Sequence, residues 1–399
     1  MPLGISQKCR SIAPSATLAM DAKARELREK GADVISFGTG EPDFDTPEPV
    51  RETMKQAMDL GMTHYCPVAG TMELRDAIRT RLEADHGVVY GRDQVIVCNG
   101  AKHALYNAFQ ALLDPGDEVI VDNPCWVSYP EMVRMAGGTP VFLYCPESQG
   151  FLPDMGDLEK LITPRTKAFV LNNPSNPNGC IWTREQLLKL GELAVKYDFY
   201  IISDEIYEKL VYDGLQHVCM ASLGEDIKQH TILINGVSKS YAMTGFRIGY
   251  ALGPADVIRG MITYQSQATS GANTAAQHAA AVALSMRQDY VEEMRQAFEQ
   301  RRNELVRLVN EIPGLHCNMP HGAFYVMMNI HDLIGKRYHG EEITGSDRFS
   351  MLLLEKAHVA AVPGVAFMAE GYCRLSYATS MQNIQEGMRR IADFVSQLQ

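Results

Sequence analysis

A lysine set between two serines follows a predicted buried strand. The segment Ser238-Lys239-Ser240 comes after the apolar run Thr231–Asn235, and Arg247 lies eight residues beyond the lysine. Lysine is rarely buried without a partner or a role. Its amine forms Schiff bases with aldehydes, and partial burial lowers the pKa so that the amine can attack a carbonyl. Taken alone, the segment is more typical of an exposed loop, so its interpretation depends on the segments around it.

An acidic residue stands at the end of another predicted strand. Asp204 follows Phe199–Ser203, and Tyr207 comes three residues later. Ligands of parallel sheets bind beyond the carboxyl ends of the strands. A carboxylate at this point could pair with a protonated ring nitrogen, and the tyrosine could reach a phenolic oxygen of the same cofactor. The alternative is an aspartate that caps a helix.

Two further loops carry small and polar residues after predicted strands. In the loop Asn172–Gly179, Pro174 and Pro177 lie on either side of Asn176, whose amide could donate to a phenolate or a carboxylate. The segment Asn99-Gly100-Ala101-Lys102 opens a predicted helix, where backbone N–H groups can bind a phosphate. Each loop alone is also compatible with an ordinary turn.

Trp126 and Arg374 are candidates for ligand contacts at other places in the chain. Trp126 lies in the proline-bounded loop Asn123–Pro130 and could stack on an aromatic ligand or pack in the core. Arg374 lies within a short strand pattern and could bind a carboxylate through two N–H groups or face solvent. The pair Gly38 and Gly40 lacks the third glycine and the helix of a dinucleotide-binding fingerprint, which excludes that class.

Composition excludes several other classes. The 399 residues are 46% hydrophobic and 21% charged, as in soluble globular proteins, with a net charge of −11 that disfavours nucleic acid and anionic membranes. Nine cysteines without a C-x-x-C pair predict reduced thiols in a cytoplasmic protein. The histidines do not form a pattern that would predict a metal site. Neither a signal-peptide pattern nor an apolar run of about 18 residues, the length of a membrane span, occurs.

Alternating apolar runs and amphipathic helices predict an α/β fold. Seven strands are expected at Gln94–Cys98, Glu118–Asp122, Pro140–Tyr144, Thr166–Asn172, Phe199–Ser203, Thr231–Asn235 and Ile248–Leu252. Continuous apolar strands separated by helices indicate a mostly parallel sheet covered on both faces. We predict a large domain over residues 48–285. Residues 1–47 and 286–399, with a helix at Gln288–Glu311 and strands at Ala323–Met328 and Cys373–Tyr377, are predicted to form a smaller α/β domain.

Taken together, these segments resemble the class I aminotransferases, which are fold-type-I pyridoxal-phosphate enzymes, and most closely the prokaryotic aspartate aminotransferases of the I-beta kind. The resemblance covers nearly the whole chain. Its motifs occur in the family's order at residues 14–17, 40–44, 65–70, 172–179, 203–207, 238–239, 243–249 and 374–378. It implies an amino-group transfer that uses pyridoxal phosphate.

The resemblance also implies the roles of the cofactor-binding residues. Lys239 would form the Schiff base and move the substrate proton, and Asp204 would keep the pyridinium nitrogen protonated. Tyr207 and Asn176 would hydrogen-bond the phenolic oxygen, and Trp126 would stack on the ring. The remaining contacts, mainly with the phosphate, would come from Gly100, Ala101, Lys102, Ser238, Arg247 and Tyr65. Because the family places this tyrosine at the neighbouring subunit's phosphate, a homodimer with shared sites is implied.

Substrate recognition follows from the same resemblance. Arg374, Asn176 and the backbone of Gly40 would bind the α-carboxylate, with Trp126 beside the substrate. Three residues would meet the side-chain carboxylate of aspartate or glutamate, namely Ser15, Thr17 and Lys102. Ala13, in place of a basic residue before the proline, argues against prephenate as a substrate. The alternatives are transamination of aromatic amino acids, alanine or kynurenine, a C–S β-lyase, and a non-catalytic sensor on the same fold.

Overall fold

A seven-stranded sheet forms the centre of the structure, a computed structural model that describes residues 4–14 and 16–399. The strands of the protein are β1 (Ile35–Ser36), β2 (Val95–Cys98), β3 (Glu118–Asn123), β4 (Thr139–Tyr144), β5 (Thr166–Asn172), β6 (Tyr200–Asp204), β7 (Thr231–Gly236), β8 (Gly249–Leu252), β9 (Tyr325–Asn329), β10 (Arg337–Tyr338), β11 (Glu341–Glu342), β12 (Val359–Ala360), β13 (Val362–Pro363) and β14 (Tyr372–Ser376).

Helices connect most of these strands. They are α1 (Gln7–Arg10), α2 (Ala16–Glu29), α3 (Glu48–Asp59), α4 (Met72–His86), α5 (Ala101–Leu112), α6 (Ser128–Met135), α7 (Met155–Leu161), α8 (Arg184–Tyr197), α9 (Glu225–Gln229), α10 (Ala255–Ala268), α11 (Thr274–Ser285), α12 (Asp289–Asn310), α13 (Ser346–Ala357) and α14 (Met381–Ser396). Within the described residues, no helix combines the length and the apolar character that crossing a membrane requires.

The large sheet has the order β2-β8-β7-β6-β5-β3-β4. Strand β8 runs antiparallel to both of its neighbours, and the other pairings are parallel. The prediction of a mostly parallel seven-stranded sheet in an α/β fold is therefore confirmed. The carboxyl ends of the adjacent strands β5, β6 and β7 lie at one edge, so the loops that follow them, with their polar residues, are brought together.

Alternate residues of the buried strands pack on opposite faces of this sheet. In β7, Ile232 and Ile234 belong to a core with α5, α6 and α10, whereas Leu233 belongs to a core with α4 and α11. In β6, Ile202 joins the first of these cores and Ile201 packs against α8. Because both faces are covered, the strands are apolar throughout, which explains the continuous runs of Val and Ile in the sequence.

The two ends of the chain pack together beside the large sheet. Strand β1 pairs in parallel with β12, and Ser376 N donates to Phe37 O at 2.8 Å. A second sheet, β13-β14-β9, packs with α12, α13 and α14 around another apolar core. Strand β14 carries Arg374, so this part of the chain supplies one wall of the site described next. The domain division at residues 48 and 285 stays a prediction.

Candidate active site

A cavity of about 400 Å³ lies at the carboxyl ends of the central strands. The predicted site residues in its wall are Thr17, Gly40, Ala101, Lys102, Trp126, Asn176, Asp204, Tyr207, Ser238, Lys239, Arg247 and Arg374. Gly100 lies immediately behind the wall, and Tyr65 lies elsewhere on the surface. Ser15 is outside the described residues. The structure thus brings together residues that are spread over more than three hundred positions of the sequence.

The amine of Lys239 projects into this cavity from the loop after β7. It donates a hydrogen bond to Gly40 O and lies 5.7 Å from the centre of the Phe324 ring. Removal from water lowers the pKa of this amine to about 8, although the negative charges of Glu41 and Asp204 oppose the shift. The amine can therefore exchange a proton near neutral pH, which suits both nucleophilic attack and proton transfer.

Asp204 ends β6 with its carboxyl group inside the protein. The residue is 3% exposed; Oδ2 accepts from the Tyr129 hydroxyl at 2.7 Å, and Oδ1 accepts from Ile206 N at 3.3 Å. Burial raises the pKa of the carboxyl group to about 6, while these hydrogen bonds lower it. No lysine, arginine or histidine among the described residues forms an ion pair with it. A cationic group in the cavity would relieve the cost of this buried charge.

The adjacent acid, Glu205, points away from the cavity. It is held by the Ser203 hydroxyl at 2.8 Å and by Met220 N at 2.9 Å, and His217 Nε2 lies 2.7 Å from its other oxygen. Successive side chains of a strand point to opposite sides. Of the two neighbouring acids, only Asp204 can therefore meet a ligand in the cavity.

Arg374 and Asn176 form a polar pair on the wall opposite the sheet. Arg374 is 2% exposed, and its guanidinium donates to Asn176 Oδ1 and to Gly38 O, both at 3.0 Å. It also stacks 4.3 Å from the centre of the Tyr325 ring. Its Nε has no partner within the described part of the chain. A buried guanidinium without a carboxylate is the arrangement expected of a receptor for an anionic ligand.

The loop after β5 is held in place by its own asparagines. Asn172 accepts from Asn176 N at 2.7 Å and donates to Asp204 O at 3.0 Å, which ties this loop to β6. Asn173 Oδ1 accepts from Trp182 N, and Asn178 Oδ1 accepts from Cys180 N. The last two residues therefore brace the loop, while Asn176 presents its amide to the cavity.

The start of α5 has the form of an anion site. Gly100 has a φ of 86°, which favours glycine, and a Cβ at this position would lie 2.4 Å from an Arg247 nitrogen and displace that side chain. The first N–H groups of a helix have no acceptor within it. The Gly100 N–H donates to Cys98 O at 2.8 Å, so the N–H groups available to a ligand begin at Ala101. Ser238 and Arg247 lie on the same side of the cavity.

Lys102 and Trp126 are neighbours at the far end of the cavity. The Lys102 amine lies 4.6 Å from the centre of the Trp126 ring. Burial lowers the pKa of this amine, and the positive charge of Arg247 lowers it further. Besides Lys239 and Arg247, the cavity wall thus carries a buried cation in Arg374 and a more exposed one in Lys102, and these two suit a ligand with two carboxylates.

Tyr65 does not reach this cavity. Its side chain is 97% exposed in the single chain and borders a separate pocket with residues of the segment Gly271–Ala275. Among the described residues, Tyr65 is thus one of the most exposed large hydrophobic side chains.

Three residues of the site were missed by sequence reasoning. Tyr129 donates a hydrogen bond to Asp204. Tyr325 packs on Arg374, and its hydroxyl lies 3.1 Å from Tyr207 Oη. Asp21 lines the wall beside Thr17. Tyr129 is three residues after Trp126, and the proline-bounded loop was a usable signal for it. No local pattern distinguishes Tyr325 or Asp21, because their partners are distant in the sequence.

Comparisons with known proteins agree with this geometry. The family model described as aminotransferase class I and II matches residues 32–391. The chain belongs to this family. An aspartate aminotransferase of Geobacillus stearothermophilus is 47% identical over 394 residues, 98% of either chain. An aspartate/prephenate aminotransferase of Thermus thermophilus is 45% identical over 392 residues, again 98% of either chain.

Solved structures give the same family. The crystal structure of an aspartate aminotransferase from Rhizobium meliloti has a TM-score of 0.96 and 41% identity, and the match covers 100% of both chains. The resemblance inferred from the motifs and the predicted fold class are confirmed, and the chain is an aminotransferase. The roles of the individual residues are proposals.

Proposed function

We propose that this aminotransferase binds pyridoxal phosphate in the cavity and transfers the α-amino group of aspartate or glutamate to 2-oxoglutarate or oxaloacetate. The observation that carries the proposal is the position of two separate cations, Arg374 and Lys102, in one cavity with the amine of Lys239. The names of the aspartate aminotransferases among its relatives support the same choice of substrate.

The residues present fit this cofactor. The buried carboxyl group of Asp204, which has no cationic partner among the described residues, suits a protonated pyridine nitrogen, and the lowered pKa of the Lys239 amine suits attack on an aldehyde. Ser238, Arg247 and the N–H group of Ala101 lie on one side of the cavity, where a phosphate would accept hydrogen bonds from them. Bound pyridoxal phosphate supplies a ring that withdraws electrons from the substrate α-carbon.

The side chains of the cavity would then bind the cofactor, orient the substrate and move a proton. Asp204 holds a proton at the ring nitrogen, and Tyr129 keeps the acceptor oxygen of Asp204 in place. Tyr207 and Asn176 donate to the phenolic oxygen, and Trp126 packs on the ring face. Lys239 would take the proton from the substrate α-carbon and return it to the C4′ atom of the cofactor, for which a pKa near the working pH is favourable.

Recognition of the substrate rests on its two carboxylates. Arg374 binds the α-carboxylate through its two terminal nitrogens, and Asn176 and Gly40 complete that end. Lys102 meets the second carboxylate, helped by the Thr17 hydroxyl from α2. An acidic protein has no general attraction for dianions, so two local cations are needed.

A Lys102→Ala variant tests the choice of substrate. A hydrogen bond to a charged group contributes about 1.5–3 kcal/mol, so kcat/KM for aspartate should fall about ten- to over a hundredfold. Alanine lacks the second carboxylate and should be affected much less. The measurement is the ratio of the two losses with 2-oxoglutarate as acceptor. Because the Lys102 amine also packs on Trp126, equal losses would indicate a purely supporting role and contradict the dicarboxylate assignment.

A panel of amino donors separates this function from the alternatives. The value of kcat/KM should be higher for aspartate and glutamate than for alanine, phenylalanine, kynurenine and the amino acid formed from prephenate. Release of pyruvate and thiol from sulfur amino acids would indicate a C–S lyase instead. A protein that binds the cofactor but turns over none of these compounds would be a sensor.

We also propose that the active unit is a homodimer in which Tyr65 contacts the cofactor phosphate bound by the partner subunit. The exposed tyrosine and the pocket beside it support this arrangement. The phosphate would then be bound by both subunits, and a monomer would have an incomplete site.

Mixed dimers test this arrangement. A subunit with Tyr65→Phe paired with a subunit with Lys239→Ala has one site with both defects and one with neither, provided the sites are shared. Such purified heterodimers should regain roughly half of the wild-type activity, because one of two sites is intact. Heterodimers that show only half of the Tyr65→Phe activity would exclude a shared site.

A further inference from the structure

Asp21 is an acid in the cavity wall for which the proposed reaction has no use. It lies on α2 one turn after Thr17, so both side chains face the cavity. Its Oδ1 lies 3.2 Å from where a Cβ on Gly38 would be, and Gly38 O accepts from Arg374 at 3.0 Å. The carboxylate of Asp21 and the guanidinium of Arg374 therefore pack on the same glycine.

The two charges are close but not paired. Within residues 4–14 and 16–399, the side chain of Asp21 forms no hydrogen bond and no ion pair within 4.0 Å, and Arg374 keeps an unpartnered Nε. The charged groups that face Asp21 are Arg374 from β14, Arg25 and Arg28 from its own helix, and Glu41 from the loop after β1. Asp21 thus acts on Arg374 through the electrostatic field across the cavity wall.

We propose that Asp21 is the resident counter-charge of Arg374, so that an anionic ligand binds against its repulsion and Asp21 takes up a proton when that ligand is bound. The inference rests on the proposed role of Arg374 as the receptor for the α-carboxylate. It makes Asp21 a determinant of affinity that touches neither the cofactor nor the reacting atoms.

The direction of the proton movement follows from the charges. Burial already raises the pKa of the Asp21 carboxyl group, and Arg374 is the main group that lowers it. A carboxylate bound at Arg374 cancels this lowering and adds a second negative charge, so the pKa rises further. Binding is then coupled to protonation, and by linkage the ligand binds more tightly as the pH falls.

The test uses the enzyme with its cofactor bound and succinate, a dicarboxylate without an amino group, as the probe. Calorimetric titrations in two buffers of different ionisation enthalpy give both the dissociation constant and the number of protons taken up. At about pH 8, Asp21→Asn should bind succinate roughly tenfold more tightly than wild type. This factor corresponds to a rise of about one unit in the pKa of the wild-type carboxyl group when succinate binds. The difference should shrink as the pH falls, because the raised pKa of the wild-type carboxyl group lets it take up its proton even without succinate.

Lys239 and the cofactor titrate in the same cavity, so the informative quantity is the difference between wild type and variant. Glu29→Gln removes the same charge from the exposed end of the same helix and should leave the dissociation constant unchanged. Proton uptake by the wild type that is larger than in Asp21→Asn would support the proposal without depending on affinity.

Two results would overturn the proposal in different ways. If succinate binding depends on Arg374, as shown by its loss in Arg374→Ala, but Asp21→Asn binds no more tightly and takes up as many protons, the role of Asp21 is wrong and the proposed function stands. If Arg374→Ala binds succinate as well as wild type does, the proposed function is wrong and the inference on Asp21 falls with it.

Discussion

A Lys239→Ala variant loses multiple turnover with every amino donor while its fold is kept. The lysine lies at the surface of the cavity and contributes to no apolar core, so its loss leaves no large void. Two functions disappear together, namely attachment of the cofactor and movement of the α-proton. Groups that act as a unit give losses far larger than one hydrogen bond, and we expect at least about four orders of magnitude in kcat.

The same position can be identified chemically. Borohydride reduction of the wild-type protein should fix the cofactor to the peptide that contains Lys239, and the visible absorption band should vanish. Lys102 is the matched control, because its amine lines the same cavity and also has a lowered pKa. A Lys102→Ala protein should still be labelled at residue 239, and label recovered at another lysine in the wild type would refute the assignment.

An Asp204→Ala variant should lose two to three orders of magnitude in kcat or more. Removing one partner of a buried pair typically costs about 3–5 kcal/mol, and each decade in rate corresponds to about 1.4 kcal/mol. The cofactor should still bind, because its phosphate contacts lie on α5 and the loop after β7. Single-turnover kinetics of the half-reaction with aspartate give the measurement. Turnover near that of wild type would contradict the pairing of Asp204 with the ring nitrogen.

Thermal stability gives a second test of the role of Asp204, and it should change in the opposite direction to activity. In the folded protein without cofactor, the pKa of Asp204 is raised from 3.8 to about 6. Between these two values the unfolded carboxyl group has lost its proton and the folded one has not, so this residue makes the fold less stable as the pH rises. Asp204→Asn should therefore raise the thermal midpoint of the cofactor-free protein at neutral pH while it lowers activity. Glu355→Gln, which changes an exposed acid on α13, is the control.

The main sheet was predictable because its strands are buried on both faces. Strand β5 matches the predicted bounds Thr166–Asn172, and the predicted strand Phe199–Ser203 is shifted by one residue to Tyr200–Asp204. The two-residue strands β1, β10, β11, β12 and β13 were not predicted. Two residues carry no alternating pattern, and β1 and β12 exist only through pairing with each other across more than three hundred positions of the sequence.

The site was predictable where chemistry and local context coincide. Lys239, Asp204 and Asn176 each follow a strand of the central sheet, so topology alone places them at one edge. Tyr129 and Tyr325 depend instead on hydrogen bonds with distant residues, which no local motif predicts. Tyr129 bonds to Asp204, 75 positions away, and Tyr325 to Tyr207, 118 positions away. The orientation of Glu205, away from the cavity, likewise required the positions of Ser203 and His217.

The pairing of β1 with β12 has a consequence for synthesis of the chain. Ile35 finds its strand partner only at Val359, and Arg374 is later still. At about 5–20 residues per second, the ribosome adds the intervening segment over roughly half a minute. During that time the central sheet can form with its own helices, while β1 lacks its partner strand. The cavity therefore acquires Arg374 last, after Lys239 and Asp204 are already in place.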